Sequence, residues 1–220
     1  MQPIDCKWKK IQIMNILALL SIIAGAASLL SLLLLLFTSP EFKPSWRMVS
    51  EYALGKHEWL LMAFFFCWGA SSMLLALALL PVVNGVWAYL GSALLFISGI
   101  GAVLGGLFSV NHKKHGLAFA LGVPTLPIAA LLLNYHLLNS NIIAQPGTLI
   151  AAHATWLSVV LMGIAMMLVF SGFKKAGVTW DKDAPPPTEV PKGVIALGGY
   201  ANRHLVFCFI FWVVAIAYLI

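Results

Sequence analysis

The chain has 220 residues, of which 61% are hydrophobic and only 9% charged, with 13 Lys and Arg against 7 Asp and Glu for a net charge of +6. A soluble domain carries roughly 25% charged residues, and a mean hydropathy of +0.96 would oblige a water-soluble fold to expose apolar areas that soluble monomers rarely tolerate. The basic residues flank apolar runs, as juxtamembrane Lys and Arg do, and form no stripe interleaved with aromatics. That excludes nucleic acid and leaves membrane lipids as the natural partner.

A helix needs about 20 apolar residues to cross a hydrocarbon layer ~30 Å thick. Lys7, Lys9 and Lys10 ahead of an apolar run, with Ala24-Gly25-Ala26 beyond, resemble a signal peptide. However, residues 11–37 are all uncharged, and a signal core runs to only about 7–15 residues, so this stretch reads as an uncleaved first span. Residues 59–111 are too long for one helix, and a turn signal at Pro81-Val82-Val83-Asn84-Gly85 divides them into spans at 59–80 and 86–110. Asn139-Ser140-Asn141 and Pro146-Gly147 likewise divide 116–173 into spans at 116–138 and 148–172. After a polar segment containing Asp181-Lys182-Asp183 and Pro185-Pro186-Pro187, residues 204–220 form a short sixth span. The expected fold is an all-α membrane protein, a single bundle of about six transmembrane helices with short loops. Gly99, Gly101, Gly105 and Gly106 give the third span a small-residue packing face. Pro124 and Pro127 should kink the fourth, and neighbours or water must satisfy the carbonyls they release.

With six crossings both termini share one side, and the loops 38–58, 111–115 and 174–203 share the other, here called face A. The positive-inside rule places face A in the cytoplasm of a plasma (inner) membrane, although the lysines before the first span argue the reverse.

No Asp, Glu, Lys or Arg lies in the middle of a span, which disfavours a proton pump, a voltage sensor or an ion carrier. Cys6, Cys67 and Cys208 form no CxxC pair, and no HExxH, GxSxG, P-loop or dinucleotide fingerprint occurs. His57, His112, His115 and His204 fall at span ends on face A, with Ser50, Glu51, Glu58, Asp181, Asp183 and Glu189 in the adjoining loops. Imidazoles gathered at one membrane face are candidate zinc ligands, with Ser50 or Glu51 to position or activate water. Interfacial helix capping is the plainer reading of the same residues. On the opposite face His136 and His153, near Asn134 and Thr155, are candidates to pair with each other or to ligate haem, the weaker of the two cofactor readings. Within 38–58, Trp46 and Tyr52 are expected at headgroup depth; a lid over a lipid-sized pocket is the second reading of that loop.

Ser50-Glu51 before the second span, Gly99-x-Gly101 and Gly106-Leu107-Phe108 closing the third, then His115-Gly116 and a proline-containing fourth span, resemble the domain-of-unknown-function family 998 of bacterial and archaeal membrane proteins. The resemblance covers roughly 38–173 and implies architecture without an activity. Where members often carry an acid after the third-span Phe, this chain has Asn111. Four His and a Ser on one face are also superficially similar to the zinc-dependent lipid amidases of the alkaline ceramidase and adiponectin-receptor superfamily, but the HxxxH spacing and the buried Asp are missing. Two expectations follow. One is a membrane-embedded lipid-binding or accessory protein, partnered by lipid, other membrane proteins or a second copy of itself. The alternative is a metal-dependent lipid hydrolase with its site at face A.

Overall fold

Each long uncharged stretch forms a helix, because a backbone without water must satisfy its own N–H and C=O groups. In the computed structural model, which describes residues 4–178, 187 and 189–220, the elements in chain order are α1 (Ile4–Thr38), a 3-10 helix (Val49–Leu54), α2 (Glu58–Leu79), α3 (Val86–Leu107), α4 (His115–Gly122), α5 (Thr125–Asn139), α6 (Gly147–Lys175) and α7 (Gly198–Leu219). There is no strand among the described residues. With α4 and α5 counted as one crossing, 6 helices are long and apolar enough to span a membrane. Asp181 and Asp183 lie outside the described residues.

Neighbours in sequence are neighbours in space: α1 packs on α2, α2 on α3, α3 on α4 and α5, α5 on α6, and α6 on α7. The last helix also meets α1, α2 and α5, so one face of α7 closes the bundle. Its residues Leu205, Phe209, Ile210, Trp212, Val213 and Ile216 are buried against Phe64, Leu75, Leu95, Leu126 and Leu133.

Lipid offers no hydrophobic drive between helices, so close backbone approach and interhelical hydrogen bonds hold the bundle together. Gly99 meets Gly69 so tightly that a Cβ would stand 2.7 Å from the Gly69 carbonyl oxygen, and a Cβ on Gly101 would overlap the backbone of Gly122. Gly105 and Gly106 give room to Phe65 and Phe66 of α2. Ser21 and Ser71 each donate to the other's carbonyl at 2.8 Å, and Ser28 donates to Phe64 O at 2.9 Å, which ties α1 to α2. In the other half of the bundle, Trp212 Nε1 donates to Asn134 Oδ1 at 3.3 Å, and Asn134 Nδ2 to Thr148 Oγ1 at 3.2 Å, joining α7, α5 and α6.

The fourth span breaks into α4 and α5 at Val123-Pro124, where a proline kink was expected. Carbonyls at the break accept from side chains instead: Gly122 O from Ser98 Oγ of α3 at 2.9 Å, and Leu121 O from Thr125 Oγ1. The third helix ends at Leu107 rather than near 110, and the sixth crossing begins at Gly198 rather than at 204. The formal charge of Arg203 marks a boundary in the sequence, but the folded chain neutralises its cost inside the helix.

Candidate functional site

Arg203 shows how. Its Nη1 donates to Arg47 O at 2.7 Å, Gly199 O at 3.0 Å and Pro44 O at 3.2 Å, and its Nη2 to the Tyr52 hydroxyl at 3.0 Å. One side chain therefore pins residues 44–52 onto the first turns of α7. That close seating needs Gly199, where a Cβ would stand 2.5 Å from Pro44 O and 2.6 Å from Arg47 O. Asn202 adds a second tie, its Oδ1 accepting from Val49 N at 2.9 Å.

Glu51 belongs to this clamp. Its Oε1 pairs with Arg47 Nη1 at 2.8 Å, and its Oε2 accepts from Met48 N at 2.6 Å at the head of the 3-10 helix. Burial raises its carboxyl above the usual 4.5, against the lowering pull of Arg47, the Met48 amide and Arg203. The Arg47 guanidinium lies 4.7 Å from the Trp46 ring centre. Trp46 is 6% exposed and Tyr52 1%, so both rings are buried within the protein. Trp46 packs on Phe173, and Tyr52 on Phe42, beneath the loop.

Under the clamped 3-10 helix is a cavity of ≈ 130 Å³. The 3-10 helix and its head supply Met48, Val49 and Ser50; α2 supplies Phe65 and Trp68; α3 supplies Gly101, Ala102 and Gly105. On the remaining sides stand His115, Phe119 and Gly122 of α4, and Asn202, Leu205 and Val206 of α7. Among the described residues no Asp, Glu, Lys or Arg is in its walls. Phe119, half exposed, stands at the rim. An engineered apolar cavity of about 150 Å³ holds benzene, so this one is of a similar size.

Three of its polar groups are unspent. The Trp68 Nε1 is buried without a hydrogen-bond partner, and the whole residue is 5% exposed. His115 Nδ1 lies 2.9 Å from Phe108 O; since a carbonyl only accepts, Nδ1 carries a proton there, and in that tautomer Nε2 is an acceptor. The Ser50 hydroxyl makes no hydrogen bond with any described residue, His115 included.

Of the residues singled out in the sequence, the structure brings Ser50 and His115 to one cavity together with Gly101 and Gly105. Glu51 serves the clamp. His112 stacks on Phe108 with ring centres 4.6 Å apart and accepts from Lys114 N, while His204 is exposed with its Nε2 3.6 Å from Cys208 Sγ. His57 sits at the start of α2. Among the described residues no three of His, Cys, Asp and Glu form a group able to hold a metal. On the other face His136 Nε2 accepts from Asn84 N at 3.3 Å, whereas His153 lies between the Tyr135 hydroxyl and Trp156 Nε1. Those two imidazoles are each engaged with other partners. Trp68 and Asn202 were missed: the first looks like one more aromatic in an apolar run, and the second sits beside a charge that appeared to lie outside the span.

Fold and cavity together define a multi-pass helical membrane protein with an uncharged pocket at one end of its bundle. The profile of the family described as protein of unknown function (DUF998) matches residues 22–219, and the chain belongs to that family. Comparison with curated proteins and with solved structures finds no match to either.

Proposed function

We propose that the protein binds an amphipathic membrane molecule in the cavity beneath the 3-10 helix. The observation that carries this reading is an apolar pocket in which a buried indole N–H has no protein acceptor. Leaving such a donor unmet costs about 1–3 kcal/mol, which a ligand oxygen would recover. Pockets of this make-up, mostly apolar with a few placed polar groups, are the usual form of small-molecule sites. In this reading the exposed apolar faces of α1 and α6 meet lipid tails. Ten of the 13 Lys and Arg flank face A, which we take as the cytoplasmic side of the plasma membrane.

The test is native mass spectrometry with lipid extraction on protein purified in mild detergent. Wild type should retain a ligand at one per chain. Ala118→Leu, which fills the cavity from α4, should lose it while the melting temperature stays within a few degrees. A chain that carries nothing specific, or an Ala118→Leu variant that retains the same ligand, removes the proposal.

A further inference from the structure

Resting on that reading, we infer that the ligand's polar end is an uncharged six-membered ring with oxygens on opposite edges: the head of a membrane quinone and its reduced quinol. Size comes first. The cavity of ≈ 130 Å³ matches a single ring and is too small for a whole lipid, whose chain must leave past the rim at Phe119. Shape agrees with size. Gly101, Gly105 and Gly122 bring backbone into the wall, and Phe65, Trp68 and Phe119 add aromatic rings, so the lining suits a planar group.

Charge excludes the anionic headgroups. Among the described residues no Lys or Arg borders the cavity, and a phosphate buried without a cation would carry a large uncompensated desolvation cost. The polar groups then set the oxygen pattern. Ser50 lies in the 3-10 helix and Trp68 on α2, and both line the cavity. Two residues lining the cavity from different elements thus carry hydrogen-bond donors, the Ser50 hydroxyl and the Trp68 Nε1–H, and the two carbonyls of a quinone ring would accept one each. The reduced ring carries hydroxyls that need an acceptor, and His115 Nε2 is one in the tautomer whose Nδ1–H donates to Phe108 O. A lone alkyl chain would use none of these three groups.

The experiment titrates detergent-purified protein with a decyl-tailed benzoquinone, and in parallel with dioleoylglycerol and dioleoylphosphatidylglycerol, each read by native mass spectrometry. The expected result is saturable binding of one quinone per chain. Trp68→Phe keeps the ring but loses the N–H, and Ser50→Ala loses only a hydroxyl; each should weaken binding about tenfold, the worth of one hydrogen bond in a buried site. Ser50→Ala keeps the test informative if Trp68→Phe folds poorly. Quinone binding that neither variant alters overturns the assignment. Retention of diacylglycerol or phosphatidylglycerol in place of quinone also overturns it, but leaves a lipid-binding cavity standing. Binding of none of the three removes both.

Discussion

Arg203 is the residue on which the face-A end depends. Its guanidinium reaches two loop carbonyls, one helix carbonyl and a phenol, a fan of donors that an ammonium cannot reproduce. Arg203→Lys should therefore destabilise the protein by roughly 2–4 kcal/mol, from several charge-assisted hydrogen bonds lost. Thermal melting in detergent measures that loss, and limited proteolysis should show new cleavage near residues 44–52. Glu51 makes a separate prediction about pH. Because burial holds its folded-state carboxyl above the usual 4.5, the folded chain binds that proton more tightly than the unfolded chain. Its stabilising contribution is complete below 4.5 and is lost as pH rises through the elevated value. The wild-type melting temperature should fall across that window, and Glu51→Gln should remove the fall. A wild type that is flat there, or a variant with an unchanged slope, contradicts the assignment. At this scale the sequence was partly legible. Ser50 and His115 stood out because polar residues at span ends are few. Nothing in a list of residues reveals that one tryptophan among 8 would be left without an acceptor, since that depends on what five elements place around it.

Among the elements, the contact between α3 and α4 is asymmetric in a way that can be measured. A Cβ added to Gly101 would run into the backbone of Gly122, whereas one added to Gly122 would find its nearest neighbour at 3.5 Å. Gly101→Ala should cost about 1–3 kcal/mol, as overpacking does, while Gly122→Ala should be close to neutral in the same melting experiment. Equal effects would mean that the two helices are not in this register. Pro124 governs the same region, because the span breaks after Gly122 into α4, which packs on α3, and α5, which packs on α3, α6 and, more lightly, α7. The number and order of the crossings were readable from uncharged length alone, as was the kink, because a bilayer leaves the backbone few alternatives. The start of α7 was not. Treating Arg203 as an end-point trimmed the helix, since the rule assumes that a charge must reach water, and here carbonyls and a phenol replace it. The packing of the loop after α1 was not readable either: Trp46 and Tyr52 are buried, one against Arg47 and the other against Arg203.

For the molecule as a whole, the uneven distribution of charge predicts orientation. With the native cysteines replaced, Asn84→Cys and Lys113→Cys lie at exposed turns on opposite ends of the bundle. A membrane-impermeant maleimide applied to intact cells should modify Asn84→Cys and spare Lys113→Cys; the reverse pattern would invert the topology. The fold also sets the order in which this protein can be built. The helix that packs against four of the others, α7, follows the other five crossings in the chain, and synthesis runs from the N-terminus. When α1 to α6 emerge, the space that Phe209, Trp212 and Ile216 will occupy holds nothing from the protein. Insertion machinery or lipid must shelter that seam during translation, and a nascent chain arrested before Gly198 should be an early substrate for membrane quality-control proteases.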